Sequence, residues 1–238
     1  MYSHYFITGT SRGIGKAIAE LLLKDKYNKV TGFSRNNSIE HSNYRHIFID
    51  LSDVNAVKKI VFPDLKNGAG KKIVLINNSA VLGPVGRLGR QTDENIITNL
   101  TVNLTAPLML SNKFIQKYRD NPGRNKIIVN ISSGAGRQPI DAWSMYCISK
   151  AGMDMMSRVI EEEQKHGFKY PFRIYSIAPG IVETDMQEEI RKINPAEFSR
   201  VHEFIEWKKK GLLKSPAESA REIIALINSR KKDILVQL

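Results

Sequence analysis

Cysteine is almost absent from this chain. Cys147 stands alone, which excludes a disulfide framework and fits a reducing compartment. Long apolar runs are missing as well. Stretches such as Ile73–Ile76 and Ile127–Val129 fall far short of the ~20 residues that a membrane span needs. No basic-then-apolar leader precedes the first strand-like run, and the expectation is a soluble, cytoplasmic protein with no membrane partner. The five histidines (His4, His41, His46, His166 and His202) show no metal-ligand spacing, so no metal is expected. There is no internal repeat, no low-complexity tract and no Pro/Gly-rich linker, which argues for one domain across residues 1–238. Acidic residues are scarce: 24 against 36 Lys plus Arg, a net charge of +12. Such a surface attracts phosphate. The basic residues are dispersed, however, and the tight clusters Lys208–Lys210 and Arg230–Lys232 have no interleaved aromatics. They read as solvated helix ends and loops, and nucleic acid is not expected as a partner.

What is present is a rhythm. Short β-rich runs at Tyr5–Thr8, Lys29–Phe33, His46–Asp50, Ile73–Asn77, Lys126–Ile131, Phe172–Ala178 and Ile234–Gln237 alternate with longer helical patterns. Several of the runs are apolar throughout, as in strands covered on both faces. Ile14, Ile18, Leu21 and Leu22 mark one helical stripe; Met145, Ile148, Gly152, Met155 and Val159 mark another. The alternation predicts an α/β domain with a doubly wound, mostly parallel sheet of about seven strands, the Rossmann arrangement. The charged segment 183–211, carrying Phe198, Phe204 and Trp207, interrupts the rhythm as a helical insertion on the substrate side. Ser215-Pro216 marks the start of the last helix.

Directly after the first strand comes Thr8-Gly9-Thr10-Ser11-Arg12-Gly13-Ile14-Gly15, running into the first helix. Glycines there let backbone approach a pyrophosphate, and the helix start supplies N–H donors. Gly9, Ser11, Arg12, Gly13, Ile14 and Gly15 are therefore cofactor candidates. About 20 residues further on, where NAD-binding sheets carry an acid for the ribose, the chain has Ser34-Arg35. Arg35 would pair with a 2′-phosphate, helped by Arg12, which predicts NADP(H). Asp50 and Leu51, at the end of the third strand, are candidates for the adenine. A helix-capping role for Ser52 or Asp53 is the alternative.

Tyr146 and Lys150 lie at i and i+4, so both project on one helix face. An ammonium beside a phenol lowers its pKa, which suits a general acid for carbonyl reduction. Ser132-Ser133-Gly134-Ala135-Gly136 follows the fifth strand, where a hydroxyl sits at the carboxyl edge of the sheet. Taken together with Thr8–Gly15, Asn77-Asn78-Ser79-Ala80, Asn103 and Pro179-Gly180 with Thr184, these residues resemble the short-chain dehydrogenase/reductase family over almost the whole chain. The resemblance implies that Tyr146 is the proton donor and that Ser133 binds the substrate carbonyl. It implies that Lys150 binds the nicotinamide ribose and tunes Tyr146, and that Asn103 holds a relay water. It extends the cofactor set to Asn78, Tyr146, Lys150, Pro179, Gly180, Val182 and Thr184. The family's Ala-Gly after the paired asparagines is Ser79-Ala80 here. The segments around Tyr146, Ala178-Pro179-Gly180 and Glu183–Gln187 are most similar to the sepiapterin reductase and bacterial benzil reductase members. This implies an NADPH-dependent reductase of a small, aromatic or dicarbonyl ketone, assembled as a homodimer or homotetramer. Trp143, Gly180 and Met186 are the substrate-side candidates. The alternatives are a 3-oxoacyl-carrier-protein reductase, and a non-catalytic dinucleotide sensor or nucleic-acid binder. Met153, Met155 and Met156 read as core or subunit-interface packing, and Cys147 as a small buried hydrophobe.

Overall fold

The computed structural model describes residues 2–65, 72–122, 125–229, 231 and 233–238. Seven strands form a single sheet: β1 (Ser3–Thr8), β2 (Asn28–Ser34), β3 (Tyr44–Phe48), β4 (Lys72–Asn77), β5 (Asn125–Ile131), β6 (Arg173–Ala178) and β7 (Leu235–Gln237). Their order is β3-β2-β1-β4-β5-β6-β7 and every pairing is parallel. The sheet is thus wholly rather than mostly parallel, in one α/β domain. The third strand ends at Phe48, two residues earlier than its β-rich run, and Asp50 and Leu51 sit in the turn beyond it.

The apolar strands explain themselves once covered on both sides. Tyr5, Ile7, Val74, Ile76, Ile127 and Val129 pack with α1 (Gly13–Leu23) and α8 (Pro216–Asn228). The intervening Phe6, Ile73, Leu75 and Ile128 pack with α2 (Val54–Lys59), α4 (Ala106–Tyr118) and α5 (Ser144–Gly167). Alternate side chains feed two cores, as the period of a strand requires. Between α3 (Asp93–Leu100) and α4 the chain makes a π-helical turn at Thr101–Thr105. α8 starts at Pro216, where Ser215 and Glu218 form a reciprocal capping box.

Helix α5 departs from the reading of its apolar stripe. Ile148, Met155 and Val159 are 54%, 53% and 47% exposed, whereas the buried face holds Tyr146, Ser149, Lys150, Met153, Asp154, Met156, Ser157 and Ile160. The inward face is rich in polar residues that hydrogen-bond inside the fold, so counting apolar residues selects the outward one. Of the methionines, Met153 and Met156 are core and Met155 is outside. The segment after β6 folds into α6 (Asp185–Arg191) and α7 (Val201–Lys209). Lys208 pairs with Glu183, and Lys209 and Lys210 with Glu206. Arg230 and Lys232 of the second basic cluster lie outside the described residues. Among those described, no helix is long and apolar enough to cross a membrane.

Candidate active site

In a sheet of this order the chain reverses direction between β1 and β4, and a crevice opens beyond the carboxyl ends of these strands. A cleft of about 750 Å³ lies there. Its floor is the turn from β1 into α1. The Thr8 hydroxyl accepts the N–H groups of Asn78 and Ser79, each at 2.9 Å. The Asn78 amide donates back to the Thr8 and Gly9 carbonyls at 2.9 and 3.3 Å. This stapling leaves no room for side chains. A Cβ on Gly15 would stand 2.3 Å from the Gly9 carbonyl oxygen, and Gly9 has φ +75°. Arg12 caps α1 with no side-chain bond to the helix start, so the first N–H groups of the helix face the cleft without a capping side chain. Ala80, at the family's glycine position, has an ordinary backbone: among described non-glycine residues only Ala142 has a positive φ.

At one end of the cleft lie Ser34, Arg35, Asp50 and Leu51. The Asp50 carboxyl is held below its ordinary range by the Ser52 N–H and hydroxyl, at 2.9 and 2.8 Å, with the Arg35 charge assisting. Asp53, not Ser52, caps α2. Arg35 is exposed and forms no salt bridge among the described residues. Arg12 reaches the other way and pairs with Asp185 of α6 at 2.7 Å.

At the other end are Ser133, Tyr146 and Lys150. Ser133 leaves β5 in extended backbone and caps a single 3₁₀ turn at Gly134–Gly136, its hydroxyl accepting the Ala135 N–H at 3.2 Å. Ser132 beside it is buried, and its hydroxyl turns to the Lys150 carbonyl at 3.5 Å. Burial pushes the Tyr146 phenol up to about 12, against the lowering effect of a hydrogen bond with Ser133. The ammonium of Lys150 lies 5.5 Å from the Tyr146 ring centre and donates to the Ile131 carbonyl at 2.7 Å. Burial brings it down to about 8, with Asp154 opposing the shift. Desolvation, the largest cause, sets the upward direction of the Tyr146 shift.

Gly9, Ser11, Arg12, Gly13, Ile14, Asn78, Pro179, Gly180, Val182, Thr184, Trp143 and Met186 also border the cleft. Gly15 and Asn103 do not line it. Gly15 lies beneath the turn. Asn103 is wholly buried, and its amide bonds the Val81 N–H and carbonyl, each at 2.8 Å, together with Asn99 and Ser149. With its side chain so occupied, Asn103 shapes the cleft wall at Val81. Asn99, one turn earlier, bonds the Leu82 carbonyl at 2.8 Å and joins the same clamp. Asn99 lies outside every motif quoted above; the signal for it in the sequence is the pair of asparagines at i and i+4 ahead of α4.

The wall opposite the sheet is aromatic. Trp143 is 7% exposed and stacks on Phe198, with ring centres 5.2 Å apart, and meets Tyr146 edge-on at 5.7 Å. Phe204 and Trp207 of α7 extend the cluster. Trp143 thus both starts α5 and borders the cleft. Cys147 is half-buried against this cluster. No group of metal-ligating side chains occurs among the described residues.

A parallel sheet with a glycine-lined anion cradle at its switch point, and a Ser-Tyr-Lys set beside it, defines an oxidoreductase built around a dinucleotide. The family pattern of the short chain dehydrogenases matches residues 3–195, and this chain belongs to that family. It is 34% identical to a benzil reductase ((S)-benzoin forming) of Bacillus cereus, over 96% of this chain and 95% of that protein. It is 31% identical to the sepiapterin reductase of Bos taurus, over 94% and 89%. A solved short-chain dehydrogenase/reductase of Saccharomyces cerevisiae shares the fold, with a TM-score of 0.83 at 21% identity over 99% of this chain and 95% of that one. Family membership implies a nicotinamide dinucleotide and a small carbonyl substrate. The cradle fits the former: a Cβ at Gly9 or Gly15 would fill the space where the backbone closes up, and the α1 N-terminus is open to phosphate.

Proposed function

We propose that this enzyme is an NADPH-dependent carbonyl reductase acting on a small aromatic or dicarbonyl ketone. The observation that carries the reading is the placement of Ser133, Tyr146 and Lys150 together on the cleft, in a corner that opens on the aromatic wall of Trp143, Phe204 and Trp207. The names of the benzil and sepiapterin reductase relatives favour the same chemistry. A nicotinamide dinucleotide held in the cleft would supply the hydride for the carbonyl carbon. Tyr146, kept as a phenol by its burial, gives its proton to the carbonyl oxygen. Ser133 donates to that oxygen as negative charge grows there, a contribution of about 3–4 kcal/mol in a site of this kind. Lys150 lies behind Tyr146 to hold the ribose hydroxyls. Gly9, Ser11, Gly13 and Ile14 would cradle the pyrophosphate, Pro179, Gly180, Val182 and Thr184 would hold the nicotinamide end, and Met186 would face the substrate; all line the cleft. Arg35, free of salt bridges, reads the 2′-phosphate. The outward apolar residues of α5, with Leu108 of α4 48% exposed, support a homodimer or homotetramer packed through these helices.

Tyr146→Phe tests the chemistry. It keeps the ring packing and removes the proton, so NADPH binding stays near wild type while turnover of an aromatic diketone falls about 10²–10⁴-fold. Near-normal turnover in the folded variant would remove Tyr146 from the mechanism. Arg35→Asp tests the cofactor: NADPH affinity falls roughly tenfold to a hundredfold more than NADH affinity, as loss of a charged pair predicts. Equal losses for both would refute the assignment of Arg35.

A further inference from the structure

Four residues that the catalytic reading leaves unused close a hydrogen-bonded ring beside Arg35. Tyr44 and His46 stand at i and i+2 on β3, hence on one face of the sheet. The Tyr44 hydroxyl meets the Thr10 hydroxyl at 2.8 Å and Nδ1 of His46 at 3.1 Å. Nε2 of His46 meets the Ser34 carbonyl at 3.1 Å. The Ser34 hydroxyl closes the circuit at 3.3 Å from Thr10, its single hydrogen going either to Thr10 or to the Asn36 carbonyl at 2.9 Å. Thr10 belongs to the phosphate turn, and Ser34 and Asn36 flank Arg35.

The directions of these bonds follow from the partners. A carbonyl only accepts, so Nε2 of His46 carries a hydrogen. In the neutral ring Nδ1 then accepts from Tyr44, and Tyr44 accepts from Thr10. Phe48 packs edge-on against the imidazole, with ring centres 4.4 Å apart, and holds it from its far side. The ring also accounts for Gly32 in the middle of β2, where glycine otherwise weakens a strand. A Cβ there would lie 2.1 Å from the Tyr44 hydroxyl and 2.4 Å from the Thr10 hydroxyl.

We infer that Tyr44 and His46 are positioning residues for recognition of the cofactor's 2′-phosphate, acting through the backbone that carries Arg35. The inference rests on the reading of Arg35 above. The phosphate turn has its own staple in Thr8 and Asn78 and keeps its shape without the ring. The Ser34–Asn36 backbone is anchored where Ser34 ends β2 opposite Phe48 and its carbonyl accepts the Ile49 N–H at 3.2 Å; beyond that it is tied by the ring and by Ser38 donating to the Ser11 carbonyl at 2.8 Å. Breaking the ring therefore frees Arg35 far more than it disturbs the pyrophosphate. A mobile arginine must be ordered on binding, and that cost falls on the 2′-phosphate contact alone.

The test is calorimetric titration of the full-length protein with NADP⁺ and NAD⁺, and with adenosine 2′,5′-bisphosphate against AMP, alongside melting temperatures. His46→Leu is expected to weaken NADP⁺ and the bisphosphate roughly tenfold while NAD⁺ and AMP stay within about twofold. His46→Gln, which keeps an N–H donor and an acceptor, restores most of the loss. Tyr44→Phe removes one hydroxyl and carries the same expectation should His46→Leu fail to fold. Equal weakening of both ligands of a pair, or no weakening, overturns the inference and leaves the ring a structural feature. Arg35→Asp in the same titrations separates the two readings. If it leaves the preference for the 2′-phosphate unchanged, the cofactor reading itself fails. If it abolishes the preference while His46→Leu keeps it, only the positioning role fails.

Discussion

Lys150 is the residue on which stability and function conflict. Its ammonium sits in a buried site that brings its pKa from 10.5 to about 8. At neutral pH the folded state therefore holds a charge that the unfolded chain holds more easily. Between pH 8 and 10.5 the unfolded chain binds the extra proton, so wild-type stability rises with pH across that window. Lys150→Met has no such group. The stability difference between the two proteins is expected to move in the wild type's favour by about 3 kcal/mol from pH 8 to 10.5. Chemical denaturation at several pH values reads this directly, and a flat difference would mean that the site does not depress the lysine. Under the proposed mechanism the same titration is expected to set the alkaline limb of reduction: kcat/KM should fall above about pH 8 as the ammonium is lost, whereas the Tyr146 phenol at about 12 stays protonated.

At the scale of elements, the decisive feature is how closely the β1–α1 turn approaches the segment after β4. Thr8 and Asn78 bond across the gap, and Gly15 lies against the Gly9 carbonyl at a distance no side chain tolerates. Gly15→Ala must push α1 or the turn outward. The cradle is expected to lose more than tenfold in affinity for either dinucleotide, with a stability loss of about 1–3 kcal/mol from overpacking. Fluorescence titration with NADPH and a thermal melt check both. Unchanged binding would show that the turn adapts freely. Helix α5 carries three jobs by face: Tyr146 and Lys150 to the cleft, Met153, Met156 and Ile160 to the core, and Ile148, Met155 and Val159 outward.

At the scale of the whole molecule, the outward face predicts association. Three large apolar side chains, about half exposed each, lie on one outward face of this helix, the kind of surface a second copy would cover. Replacing Met155 and Val159 together by Glu is expected to shift the protein to monomer in light scattering while leaving the melting curve cooperative. A wild type that is already monomeric at micromolar concentration would refute the assembly reading. The Lys208–Lys210 cluster is offset in part by ion pairs with Glu183 and Glu206.

The seven strands, the two-sided burial of the central ones, the glycine turn after β1, Ser133 at the carboxyl edge, and Tyr146 and Lys150 on one face of a long helix were legible in the sequence. Each depends on local spacing: apolar runs make buried strands, a glycine turn precedes a helix, and i, i+4 residues share a face. Long-range contact decided the rest. Which stripe of α5 faces inward depends on polar partners from β5 and β6, such as Ser157 bonding Asn130 and Ser176 bonding Asp154. The rise rather than fall of the Tyr146 pKa depends on how completely the fold excludes water around it. Arg12 meets Asp185 across 173 positions, and Gly32 is a glycine because Tyr44 and Thr10 meet over it. Such facts belong to pairs of segments distant along the chain. Composition and periodicity describe one segment at a time, so only the packed fold brings these pairs together.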